Sequence, residues 1–200
     1  MRSSRVAAVI GATLLTLAPL TLTACTTEEE PDPGPPPAEP TPLAELATES
    51  LTIARKPFCA QIAPAAVEDA LGGAPERRDQ WVNGDRATVA PGVADVVHEY
   101  GCRWRAVDGT AVSGWVFAPP IAPGRAAVLR RAAAQADGCR PVAGAPAYGS
   151  PSVAVTCDDG TTAFHGLFGD AWLSCSVNAP GAEVGRVGRW CVSVAQAASA

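Results

Sequence analysis

Residues 96–118 read VVHEYGCRWRAVDGTAVSGWVFA. Over Val96–Ala106 the chain alternates. His98, Tyr100, Cys102, Trp104 and Ala106 fall on one face, and Val97, Glu99, Arg103 and Arg105 fall on the other. A period of two predicts a strand with one face in the core. That pattern places His98 with Tyr100 and Trp104, as a packed core histidine. Asp108-Gly109 supplies a tight turn. Thr110–Ala118 then runs back as a second strand, with Trp115 and Phe117 facing one way.

Working outward, the same grammar recurs. Ser152–Cys157 is a strand, Asp159-Gly160 a turn, Thr161–Phe168 a strand, Gly169-Asp170 a turn and Ala171–Val177 a strand. Helical segments separate these runs. Ala63–Gly73 carries Pro64 in its first turn and a glycine stop, with Ile62, Ala66, Val67, Ala70 and Leu71 as its stripe. Pro123–Ala136 is rich in Ala, Arg and Leu, with Val128, Leu129, Ala132 and Ala136 on one face. Ala182–Ala197 closes the chain, with Val184, Val187, Cys191 and Val194 in a row. Trp81-Val82-Asn83-Gly84 reads either as a strand end with a turn or as loop. Hairpins separated by helices predict an α+β fold, an antiparallel sheet with helices packed on one face. Both halves share a Cys, an Asp-Gly-Thr turn, an Ala-Pro step and a helix, a pattern that a weak internal duplication would leave.

Of seven cysteines, six lie in the folded region: Cys59, Cys102, Cys139, Cys157, Cys175 and Cys191. Six cysteines allow about fifteen connectivities. The preferred one pairs them in sequential order, Cys59–Cys102, Cys139–Cys157 and Cys175–Cys191. With no Cys-x-x-Cys and only two histidines, metal ligation is disfavoured, and no cofactor is expected.

The seventh, Cys25, follows a basic start (Arg2, Arg5) and an uncharged stretch from Val6 to Ala24, the pattern of an export signal. Leu22-Thr23-Ala24-Cys25 resembles the bacterial lipobox. The resemblance implies a signal peptide over residues 1–24 and diacylation of the Cys25 thiol. Residues 25–57 then read as the lipidated cysteine and an acidic, proline-rich stalk. Seven prolines lie between Pro31 and Pro42, and seven acidic residues with no Lys or Arg lie in 26–49. Such a segment is expected to be extended and solvated. The globular domain is expected over 58–200, held to the outer face of the cell membrane.

The formal net charge of −5 belongs to that stalk, because residues 50–200 carry thirteen basic and thirteen acidic residues. A neutral domain without a Lys/Arg excess is not a nucleic-acid binder. Arg77-Arg78 and Arg130-Arg131 read as solvated faces. Catalytic motifs are missing: there is no Gly-x-Ser-x-Gly elbow, and His98-Glu99 is not completed as a zincin motif because position 102 is Cys. His165, between Phe164 and Gly166, is expected to be structural. Five tryptophans remain, mostly for the core, and Trp172 is the candidate for an exposed position lining an apolar or sugar-binding cleft.

From Cys59 to Trp104 the chain resembles small secreted lipoproteins of actinobacteria whose domain has no assigned function. The shared features are the lipobox, the Pro-rich spacer, Phe58-Cys59 opening a helix that ends at Leu71-Gly72, and Cys102-Arg103-Trp104 in a strand. The resemblance carries over no catalytic residues. The expectation is a non-enzymatic, lipid-anchored envelope protein that binds a small ligand or a protein partner. Its alternatives are an enzyme acting on envelope material and a structural subunit of an envelope complex.

Overall fold

The computed structural model describes residues 40–199, apart from Pro91 and the side chains of Val89 and Ala90. The expected signal peptide, Cys25 and the expected stalk up to Glu39 lie outside the described residues.

Among the described residues, nine strands and three α-helices follow in order. They are α1 (Pro64–Leu71), β1 (Arg77–Trp81), β2 (Arg86–Ala90), β3 (Val93–Val96), β4 (Glu99–Arg105), β5 (Ala111–Phe117), α2 (Pro123–Ala134), β6 (Cys139–Pro141), β7 (Ser152–Cys157), β8 (Thr161–Phe168), β9 (Ala171–Asn178) and α3 (Val184–Ala198). Seven strands form one antiparallel sheet in the order β1-β4-β5-β9-β8-β7-β6, while β2 and β3 pair with each other alone. The molecule is an α+β fold stapled by disulfides.

The expected hairpin is β4–β5, in register from Glu99 opposite Phe117 to Arg105 opposite Ala111. It departs from expectation at its start. Backbone bonds from Gly84 to the Val97 carbonyl and from Val97 to the Asp85 carbonyl draw Val97 out of the ladder. Val97 is therefore buried and His98 exposed, the reverse of the expected parity. Trp81-Val82-Asn83-Gly84, which the sequence reads either as a strand end with a turn or as loop, ends β1 and leads into β2, and β2 and β3 form a separate hairpin.

One face of the sheet carries the main core. Val112 and Val116 of β5, Phe164 of β8, and Leu173, Cys175 and Val177 of β9 meet α1 and α3 there. Gly114 lets α3 come close, since a Cβ at that position would lie 2.8 Å from Val194 Cγ1. The Trp190 indole donates to the Ser113 carbonyl at 2.9 Å, and its ring meets Trp104 edge-on. Pro64 opens α1, and Gly72, at φ +76°, closes it in the left-handed region that favours glycine. The Arg186 guanidinium then donates twice to the Ala70 carbonyl, tying α1 to α3. Tyr148 is fully buried, gives its hydroxyl to the Cys191 carbonyl, and packs edge-on against Phe164 and Phe168.

The expected one-face arrangement holds for α1 and α3. The α2 cluster uses residues of the other parity: Leu167 and Trp172, with Ile121, Ala126, Phe117 and Leu129. These alternate with Phe168, Ala171 and Leu173 of the main core, so α2 covers the reverse face. The apolar stripe of α2 is also rotated from the expected one. Ala126 is buried, Val128 is 41 % exposed and Ala136 lies past the helix end. In a helix this rich in alanine, side-chain size gives little guide to the buried face.

One boundary moves. Residues 42–54, expected within the solvated stalk, pack on the domain instead: short 3-10 turns at Leu43–Glu45 and Thr48–Ser50 form a strap along α3. Leu43 and Ile53 are buried, Leu43 sits over Gly188, and Ala54 donates to the Ala198 carbonyl. Four apolar residues, Leu43, Leu46, Leu51 and Ile53, outweigh the acidic residues between them. The two halves also differ strand for strand. One Asp-Gly-Thr turn joins β4 to β5 and the other joins β7 to β8, leaving one strand before the first Ala-Pro step and two before the second.

Three bridges join the six cysteines in sequential order. Cys59–Cys102 and Cys175–Cys191 span Cα separations of 5.8 and 5.4 Å inside the core. Cys139–Cys157 crosses the β6–β7 edge.

Candidate functional site

The reverse face of the sheet is covered by α2 over only part of its width. Beyond that cover, one cross-strand row runs Trp81, Gly101, Trp115, Ser174, His165. Gly101 decides what happens there. A Cβ at that position would lie 2.0 Å from Trp115 Cε3, so the indole lies across the bare β4 backbone. Trp81 reaches it from the other side, with ring centroids 4.9 Å apart at 31°. Burying part of two large rings, these side chains make an aromatic floor. Both remain partly exposed.

The β2–β3 hairpin forms the opposite wall. Its base is pinned where the Val82 N–H donates to the Asp85 carboxylate and Val97 donates to the Asp85 carbonyl. Between hairpin and sheet lies an open cleft of about 590 Å³, which Ala87, Thr88, Asp95, Val96, His98 and Phe117 help to line. That volume is in the range of small-molecule sites.

The cleft is graded along β4. Glu99, Gly101, Arg103 and Arg105 share a face and succeed one another every ~6.6 Å. Glu99 and Asp95 put carboxylates at one end, where each already accepts one backbone N–H. The tryptophan pair occupies the middle. Arg103 stands at the other end and also lines an adjoining polar depression of about 370 Å³ with Arg105, Ser113, Thr161, Ser176 and Asn178. The acid opposite Arg103 in the ladder, Asp79, is ion-paired to Arg77 at 2.8 Å. Among the described residues no carboxylate lies within ion-pair distance of Arg103 or Arg105. Burial, then the neighbouring charge of Arg105, holds the Arg103 guanidinium below its usual pKa, and Asp79 opposes the shift.

Other residues singled out in the sequence lie elsewhere. Trp172 is a correction: it is 3 % exposed, beneath α2, because Ile121, Ala126 and Leu167 close over it. His165 stacks near Trp172 with centroids 6.5 Å apart. Burial pushes its pKa down to about 4, which keeps it neutral at pH 7. Arg78 caps the Trp104 ring at 5.4 Å, so it is not simply solvated. His98 stands at the cleft, exposed. Among the described residues its side chain has no hydrogen bond to Ser174 or to a carboxylate, and no group of three His, Cys, Asp or Glu is placed to hold a metal ion. The sequence does place Trp115 and Phe117 on one face, but nothing in it assigns that face to a cleft. The signal that could have done so is Gly101 between two strands that each bring a tryptophan.

No protein-family model, curated protein or solved structure matches this chain.

Proposed function

We propose that this protein is a lipid-anchored extracytoplasmic binding protein that holds a small ligand in the cleft between the β2–β3 hairpin and the sheet. One observation carries the binding reading: Trp81 and Trp115, large apolar rings of the kind a fold normally buries, line an open cleft together with Arg103, which has no carboxylate within ion-pair distance among the described residues. The lipobox-like Leu22–Cys25 and three disulfides support an exported, tethered protein. The test has two arms. Wild-type chain is expected in the membrane fraction and Cys25→Ser in the soluble fraction, and a Cys25→Ser protein that stays with membranes refutes the anchor. For the cleft, native mass spectrometry is run on the chain after incubation with a pool of neutral sugars, acidic sugars, aromatic acids and short peptides. Wild type is expected to retain an adduct that Trp115→Ala loses. No adduct from any class refutes the binding reading.

A second reading, an extracytoplasmic enzyme, draws on His98, Glu99 and Ser174 lining the same cleft. It requires an adduct of altered mass, released as product and abolished by His98→Ala.

A further inference from the structure

We infer that the ligand of this cleft is an acidic saccharide, its ring seated on the Trp81–Trp115 floor and its carboxylate held by Arg103 and Arg105. This inference rests on the binding reading above and adds the class of ligand.

Three observations converge. First, the floor is broad and aromatic. Trp115 lies flat because Gly101 beneath it has no side chain, and Trp81 extends the surface across β1. A floor of that shape suits the C–H face of a sugar ring or the face of an aromatic ring. Second, the surrounding polar groups decide between those two. The Asp95 and Glu99 carboxylates, the Thr88 and Ser174 hydroxyls and the His98 imidazole ring the floor. An ionised carboxylate accepts through two oxygens, so both acids keep acceptor capacity beyond the single backbone bond that each makes. Such a rim fits a ligand bearing many hydroxyl donors along its edge. A plain aromatic ring would leave these groups without partners, at a cost for every one desolvated.

Third, the charge changes sign along β4. Arg103 and Arg105 project from the same face two residues apart, and Asp79 is engaged by Arg77. Two guanidiniums side by side, one of them half-buried, repel each other unless an anion joins them. A carboxylate at this end accepts from the fork of Arg103 in a charge-assisted pair. The polar depression beyond, with Ser113 and Ser176 hydroxyls 2.8 Å apart, gives room for a further sugar unit. A short chain of acidic sugars thus matches floor, rim and charge at once.

The test uses the mature chain with a trimer of galacturonic acid and its carboxyl-reduced, neutral counterpart, followed by tryptophan fluorescence. The acidic trimer is expected to bind and shift the emission, more tightly than the neutral one and less tightly as salt rises. Arg103→Met is expected to weaken the acidic trimer roughly ten- to a hundredfold and the neutral trimer by much less, so that the preference for the acidic one is lost. Trp115→Ala is expected to weaken both by about tenfold. Thermal melting checks that both variants are folded, and the salt dependence of wild type tests the charge pairing without any variant. Equal affinity for the two trimers overturns the inference, as does salt-independent binding. So does an acidic trimer that fails to bind while the mixed pool still yields a cleft adduct from another class. If the pool yields nothing, the binding reading falls with it.

Discussion

Gly101 shows how one missing side chain shapes a surface. Its neighbours across the ladder are Trp81 and Trp115, and the space a Cβ would fill holds the Trp115 ring. Gly101→Ala is expected to push that ring off β4, break the Trp81–Trp115 pair and cost about 1–3 kcal/mol through overpacking. Near-ultraviolet circular dichroism and thermal melting read the two effects, and an unchanged aromatic signal counts against the arrangement. His165 offers a second residue-level test. Burial holds its folded pKa at about 4, against the usual 6.5 of a histidine. Below pH 6.5 the unfolded chain takes up a proton that the folded chain refuses, so stability falls as the pH drops from 6.5 toward 4. Each unit is ~1.4 kcal/mol, giving a loss of up to about 3 kcal/mol. His165→Asn is expected to flatten denaturant midpoints over that window. An equally steep acid dependence in the variant would assign the effect to other groups.

Elements differ in how plainly the sequence announces them. β4, β5, β7, β8 and β9 were legible because each combines alternation or an apolar run with an Asp-Gly or Gly-Asp turn. The bounds of α1 were legible because Pro64 and Gly72 punctuate it. β1 was not, because Arg77, Arg78, Asp79 and Gln80 give it no apolar face; it exists as the edge partner of β4, with Arg78 closing over Trp104. The rotated stripe of α2 had no size contrast to reveal it. Of the candidate site, the tryptophans were visible as a set but their division was not. Trp172 is capped by a helix that arrives from elsewhere in the chain, whereas Trp115 has only the hairpin above it. Exposure likewise separates the bridges. Cys59, Cys102, Cys175 and Cys191 are buried, while Cys139 and Cys157 are partly exposed at the sheet edge. Under mild reductant, Cys139–Cys157 is expected to open first, because exchange needs access to a sulfur. Alkylation of Cys139 and Cys157 before the other four, read by peptide mapping, checks this. Earlier labelling of Cys175 would contradict it.

At the scale of the whole molecule, the sheet separates two kinds of business. One face is filled by α1, α3 and the strap of residues 42–54. The other holds α2 at one side and the open cleft at the other. Sequential disulfides keep each staple short, with separations of 43, 18 and 16 residues. In the chain-entropy model these closures contribute about 4, 3 and 3 kcal/mol by restricting the unfolded chain.

The strap has a mechanical consequence. Leu43 is seated on Gly188, and Ile53 bridges to Ser199, so the N-terminal segment is clasped along most of α3. That helix is bolted through Cys191 to Cys175 in β9, a strand flanked on both sides within the sheet. A pull on the N-terminal end therefore enters the best-braced part of the molecule. The load path runs strap, helix, bolt, central strand. The β2–β3 hairpin, a separate two-stranded sheet, lies off that path, so the load bypasses the wall of the cleft.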